Sequence, residues 1–188
     1  IQTSLVGSEM CIRDRNLCVV AKKLDVKREK LVLMNQTHSN RVLILNNENE
    51  KLRVNADAIL TEKVDLALGV LTADCAPILI YEIKKEIIGC IHAGWKGAIG
   101  GIIENTIDKV IKMGGNPKSI IAAIGPCISQ KSYEVKKDFY LKFKENKENS
   151  DSFFIRKEND SFLFDLRAFV TKKLNKNGVL QVDNINLD

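Results

Sequence analysis

The sequence predicts an α+β fold, with mixed β-sheets and helices packed on them, on three observations. Short runs rich in Val, Ile and Leu follow one another between residues 30 and 93, each bounded by a polar or glycine-containing break. Helical three- and four-residue spacing comes later, between further apolar runs, without the regular strand–helix alternation of a doubly wound fold. At 188 residues and 45% hydrophobic content the chain can bury one sizeable core, and no linker or internal repeat divides it.

Taken in order, the elements follow from local pattern. Residues 1–14, IQTSLVGSEMCIRD, have no initiator Met and no clear period, and we read them as a non-native N-terminal addition; a single domain is expected over 15–188. Asn16 is placed to cap a helix reaching about Leu24, with Leu17, Val20 and Leu24 on one face. KLVLMNQTHS and NRVLILNN read as two strands, Asn46 to Asn55 as a charged loop, and DAILT and LALGVLTAD as further strands. APILIYEI and EIIGCIHAG form a hairpin about Lys84 and Lys85. One amphipathic helix carries Ile99, Ile102, Ile103, Thr106, Ile107, Val110 and Ile111, and stops at Gly114, Gly115 and Pro117. After the strand KSIIAAIGP, SYEVKKDFYLKFK is expected to be helical and KENKENSDS a polar loop. FDLRAFVTKKLNKNG should form a helix closed by Gly178, and VDNINLD should begin a last strand.

Composition removes several function classes. The net charge is +5, but the lysines are scattered among acids, with no arginine-rich stripe and no RNP-like aromatic pattern, so nucleic-acid binding is not expected. Five cysteines without a CxxC pair fit a reducing compartment better than a disulfide scaffold. No apolar run approaches a membrane span and no secretory leader opens the chain, so the protein reads as cytoplasmic.

The chain has only two histidines, His38 and His92, and each lies just past the end of an apolar strand pattern, as Cys75 does. A strand end lets a side chain leave the core while keeping a rigid support. Two imidazoles and a thiolate suit a zinc ion with an open fourth position, and they also admit copper. The same atoms suit a Cys–His nucleophilic pair. Asp74, beside Cys75 and ahead of Pro77, is placed to orient a histidine, to move a proton or simply to cap the turn. In HAGWKGAIGG, Gly94 and Gly97 let backbone approach a ligand at the start of a helix, with Lys96 adding charge for an anion. Trp95 either stacks on a flat ligand or covers the core, and Cys127 is expected to be structural.

Five blocks in order, QTHS, DAILT, LTADCAPILI, IHAGWKGAIGG and AIGPCISQKSYEV, resemble the laccase-domain or YfiH-like family. That family is described both as multicopper polyphenol oxidases and as purine nucleoside phosphorylases. The resemblance implies an α+β fold of mixed sheets, similar to that of cysteine-dependent toxin deamidases. It implies zinc on His38, Cys75 and His92, with Cys75, His92 and Asp74 at the reaction centre. Ser39, Gly94, Trp95, Lys96 and Gly97 would lie against substrate or phosphate. The implied activity is phosphorolysis of adenosine, inosine and related nucleosides such as methylthioadenosine, with adenosine deamination at the same site; purine nucleoside and phosphate are the implied partners. Ser39 stands where many members have Gly, and Lys96 where many have Arg. Neither a T-R-x-G-G segment nor a Cys-Thr turn followed by F-S-x-R-R is present, so the chain is expected to be a fragment cut at both ends. Rival readings are a copper-dependent polyphenol oxidase, for which two histidines are too few, a metal-free Cys–His hydrolase, and a non-catalytic binding module.

Overall fold

The computed structural model describes residues 2–46, 54–145 and 151–188, the side chains of 2–11 and 13 excepted. In chain order the elements are α1 (Gln2–Lys23), β1 (Leu31–Leu33), β2 (Val42–Ile44), β3 (Ala58–Thr61), β4 (Ala67–Gly69), β5 (Ala76–Glu82) and β6 (Ile87–Ala93). There follow α2 (Trp95–Ile99), α3 (Ile102–Lys112), β7 (Ile120–Ile124), β8 (Glu134–Lys136), α4 (Lys137–Glu145), β9 (Phe154–Arg156), β10 (Ser161–Phe164), α5 (Leu166–Lys176) and β11 (Gln181–Asn184). The mixed α+β class expected from the sequence is the class observed.

A six-stranded mixed sheet in the order β11-β7-β5-β6-β3-β2 forms the centre. Its outer pairs, β11 with β7 and β2 with β3, run parallel, whereas the inner ladders are antiparallel. Alternation along β5 explains the layering: Ile78, Ile80 and Glu82 point inward, and Leu79 and Tyr81 point out. The inward face packs on α3, through Ile102, Ile103, Ile107 and Val110, and on α5, through Phe169, Val170 and Leu174. On the other face a smaller cluster of Met34, Leu45, Ile59, Leu66 and Cys90 covers the β3–β6 side.

Glu82 is a fully buried acid in the hairpin, and its carboxylate is satisfied by Ser119 Oγ at 2.6 Å and by the backbone N–H groups of Lys85 at 2.7 Å and Asn116 at 3.3 Å. Those bonds pin the β5–β6 turn to the loop before β7. An aromatic cluster around Phe143, with Phe164 at 4.8 Å and Phe169 at 5.2 Å between centroids, reaches α2 through Trp95, 4.8 Å from Phe139. It therefore braces the segment that follows β6.

Four elements differ from expectation. The first helix starts at Gln2 rather than Asn16, because nothing in residues 2–15 is a proline or an interior helix breaker beyond Gly7, and one glycine costs only about 1 kcal/mol. The helix expected around Ile99–Ile111 is two helices, since Gly101 adopts φ +90, a left-handed conformation that ends α2 and starts α3. Within SYEVKK, Glu134–Lys136 is a strand, β8, because it pairs with β10, and the β9–β10 hairpin itself was not expected. Most of the Asn46–Asn55 and Lys144–Ser152 loops lies outside the described residues.

Among the described side chains of α1, the first buried one is Leu17, followed by Ala21, both against Leu31, while Ile12 is 60% exposed. We propose that residues 1–14 add nothing to the core. Deleting them should shift the melting midpoint by less than about 2 °C in a thermal scan, the effect of a surface change in a chain of this size; a drop of about 5 °C or more would assign them to the domain.

Candidate metal centre

The antiparallel register of the hairpin builds one wall of the site. Ala76 pairs with Ala93, so Cys75 and Gly94 face each other one residue beyond the ladder, while His92 sits opposite Pro77. His38 arrives from the loop between β1 and β2, which crosses the end of the sheet. The donor atoms of His38, Cys75 and His92 all lie within 4.8 Å of one another. Cys75 Sγ is 3.8 Å from His38 Nε2, and the two imidazole rings meet edge-to-face at 4.7 Å. Donors about 2.0–2.3 Å from one tetrahedral ion lie roughly 3.3–3.8 Å apart, so small ring rotations close the trio on a cation.

The glycine at 94 fits that use. A Cβ there would stand 2.9 Å from both Cys75 Sγ and His38 Cδ2, inside the space the donors share. Any larger residue would push the thiol and the ring apart.

Asp57, which directly precedes β3, has no exposed surface. Continuing the β3–β6 register from Ala58 and Ile91 sets it opposite His92, whose N–H donates to the Asp57 carbonyl at 2.7 Å. The carboxylate is 2.8 Å from His92 Nδ1. An ionised carboxylate only accepts, so Nδ1 carries the proton and Nε2 keeps its lone pair for a ligand. The same carboxylate accepts from Ser39 N and Ser39 Oγ, each at 2.6 Å, from His38 N at 3.0 Å and from Thr37 N at 3.2 Å. Burial pushes its pKa up, but the Ser39 and His92 side chains and the Ser39 and Thr37 backbone outweigh this and hold it at about 2.

A second clamp joins the histidine loop to the cysteine loop. The Gln36 amide donates to Leu71 O at 2.6 Å and accepts from Leu71 N at 2.9 Å. On the far side of Cys75, Ile128 N donates to Asp74 O at 3.0 Å, tying that loop to the segment after β7. Asp74 adopts φ +73, and its side chain is exposed beside the thiol. Burial first, then the charges of Asp74, Asp57 and Cys127, push the Cys75 thiol pKa up. Burial first, then Cys75 and Asp74, raise Tyr133 to about 12.

The remaining candidates divide. Ser39 Oγ is committed to Asp57. Gly97 is buried, and its Cα faces the Ser39 carbonyl, where a Cβ would come within 3.0 Å, so this glycine seats α2 on the His38 loop. Trp95 packs on the aromatic core, and Lys96 is exposed with its Nζ 5.6 Å from the Trp95 ring. Cys127 is buried in the main core, as expected.

The profile of a family described as multi-copper polyphenol oxidoreductase laccase matches residues 9–188. The chain belongs to this family. It is 42% identical over 166 residues to a purine nucleoside phosphorylase of Rickettsia prowazekii, covering 86% of this chain and 67% of that protein. An adenosine deaminase from an unknown prokaryotic organism is 32% identical over 145 residues, covering 73% of this chain and 55% of that protein. The crystal structure of the Bacillus licheniformis hypothetical protein YfiH superposes with a TM-score of 0.86 at 26% identity, over 93% of this chain and 70% of that one. The laccase-like chain thus spans between about half and two-thirds of the length of these two curated relatives. Among the described residues no helix is long and apolar enough to cross a membrane.

Asp57 and Gln36 are the site residues that sequence reasoning misses. A signal exists for Asp57: it is an acid at the head of a fully apolar run, AILT, where an unpaired charge would be costly. Gln36 shows only as part of the QTHS block. The glycine makes a sharp test. Gly94→Ala should keep the fold, as read by circular dichroism, yet weaken the binding of added zinc about 10-fold or more, the cost of a Cβ placed 2.9 Å from Cys75 Sγ and His38 Cδ2. Unchanged zinc affinity would show that the donors do not share that space.

Proposed function

We propose that the protein is a zinc-dependent purine nucleoside phosphorylase that also deaminates adenosine. The observation that carries this reading is the convergence of His38, Cys75 and His92 beneath a glycine that leaves room for nothing larger. Three protein donors leave a fourth position open, the arrangement of catalytic rather than structural zinc. Thiolate and imidazole also accept copper, but zinc needs no further ligand set to act. Zinc bound there would supply Lewis acidity to a water or a substrate heteroatom.

The protein's own groups then have distinct tasks. Asp57 keeps His92 in the tautomer that offers Nε2. Phosphorolysis forms a bond from a phosphate oxygen to ribose C1′ and breaks the bond from C1′ to the purine nitrogen, which leaves with its electron pair and takes a proton. Asp74, exposed beside Cys75, carries that proton, and in deamination it moves the proton between attacking water and departing ammonia. Lys96, exposed in α2, and the backbone at Gly94 meet the phosphate or the ribose. The relatives named purine nucleoside phosphorylase and adenosine deaminase support both reactions. The free cysteines among the described residues support placing the protein in the reducing cytoplasm.

Two rivals fare worse. A multicopper centre needs many more imidazoles than two. A metal-free Cys–His nucleophile calls for a thiol with a lowered pKa, whereas that of Cys75 is raised and its sulfur is 3.8 Å from His38 Nε2. Cys75→Ser and His92→Ala should each remove most of the zinc retained through purification, leaving at most a weak residual site, and abolish adenosine consumption, with phosphate present or absent, in paired metal analysis and product assays. Full turnover in a chelator-stripped protein, destroyed instead by a thiol alkylator, would establish the nucleophile and end the zinc mechanism. Bound zinc without turnover of adenosine or inosine would leave only a binding module.

A further inference from the structure

We propose that the Asp57 carboxylate is a positioning residue for both histidines at once, so that one buried charge sets two of the three metal donors. The inference rests on the metal reading of the site. Its basis is a division of labour between the two carboxylate oxygens. Oδ1 takes His92 Nδ1 at 2.8 Å and His38 N at 3.0 Å, while Oδ2 takes the N–H and the hydroxyl of Ser39, both at 2.6 Å. Thr37 N is 3.2 Å from each oxygen.

Three successive backbone N–H groups, from Thr37 to Ser39, therefore close on one anion, a concave arrangement that backbone adopts around negative charge. His38 sits at its centre with φ +57, a conformation that a β-carbon disfavours by roughly 1–2 kcal/mol. The anion is what holds the loop in that shape, and the shape is what turns the His38 ring toward Cys75. On the opposite side the same anion fixes the rotation and tautomer of the His92 ring. The two arms share an atom, Oδ1, but they act on different elements: one on a loop backbone, the other on a side chain of β6.

A carboxylate that only filled a hydrogen-bonding gap would affect stability and leave the donors alone. The two-armed role predicts more. Zinc affinity is measured by competition with a chromophoric chelator, at a temperature where circular dichroism shows each variant folded. Asp57→Asn should lose about 10- to 100-fold, the usual effect of removing a partner that orients a metal ligand. Ser39→Ala, which removes the hydroxyl bond to Oδ2 and the longer bonds that Oγ accepts from Thr37 Oγ1 and Arg41 N at 3.3 Å, should lose about 2- to 10-fold. The decisive comparison is Asp57→Asn in a His92→Ala background. If the His38 arm exists, the residual zinc affinity falls again there; no further fall means that Asp57 acts through His92 alone, and the proposal is overturned. With cobalt as the probe at saturation, Asp57→Asn should also weaken the visible ligand-field bands, which a purely structural role would leave unchanged. Should Asp57→Asn fail to fold, Ser39→Ala decides, and an unchanged affinity there overturns the idea. Wild-type protein that takes up no zinc would sink the metal reading itself, and this inference with it.

Discussion

A carboxylate with no exposed surface is costly to bury unless hydrogen bonds replace the water it loses. Asp57 meets that demand with the His92 ring, the Ser39 hydroxyl and three consecutive N–H groups of the loop that carries His38. Satisfying the acid and building the site are therefore one event. The loop cannot relax without leaving a buried charge short of donors, and the ring of His92 cannot turn without doing the same. Desolvation, ordinarily a penalty, becomes the force that keeps two imidazoles in place.

That arrangement needs the sheet to be in register. Asp57 reaches His92 because β3 and β6 pair with Ala58 opposite Ile91, and Cys75 meets Gly94 because β5 and β6 pair with Ala76 opposite Ala93. A slip of one residue would send every one of these side chains to the wrong face. Buried apolar residues on alternate positions of β5, together with the Glu82 anchor at the far end of the hairpin, oppose such a slip. The core thus acts on the site through geometry, by holding the ladder from which the donors project.

Much of this is legible in the amino-acid sequence. The mixed α+β class, the β5–β6 hairpin, the strand at Ile120–Ile124 and the final helix closed by Gly178 follow from apolar period and turn residues. His38, Cys75 and His92 stand out because each follows an apolar run in the sequence; the structure sets His38 in the loop after β1, Cys75 directly before β5 and His92 within β6. Asp57 does not stand out, because its meaning lies in a partner 35 residues away that only the pairing of β3 with β6 reveals. The β9–β10 hairpin escapes for a similar reason: Phe154–Arg156 is too short to show a period and is held by its neighbour. Local pattern leaves Trp95 balanced between ligand and core, and in the structure its half-buried ring packs on Phe139. Gly97, expected to approach a ligand, lies against the Ser39 carbonyl; a glycine marks a close contact but does not say with what.

The chemistry proposed for the site depends on one ion held by two nitrogens and one sulfur. X-ray absorption at the zinc edge on the purified, zinc-loaded protein reads that coordination directly. The account predicts a first shell with one sulfur at about 2.3 Å and two imidazole nitrogens at about 2.0–2.1 Å, completed by a light atom. The sulfur contribution should vanish in Cys75→Ser. A shell without sulfur in the wild type, or one unchanged by Cys75→Ser, would contradict it.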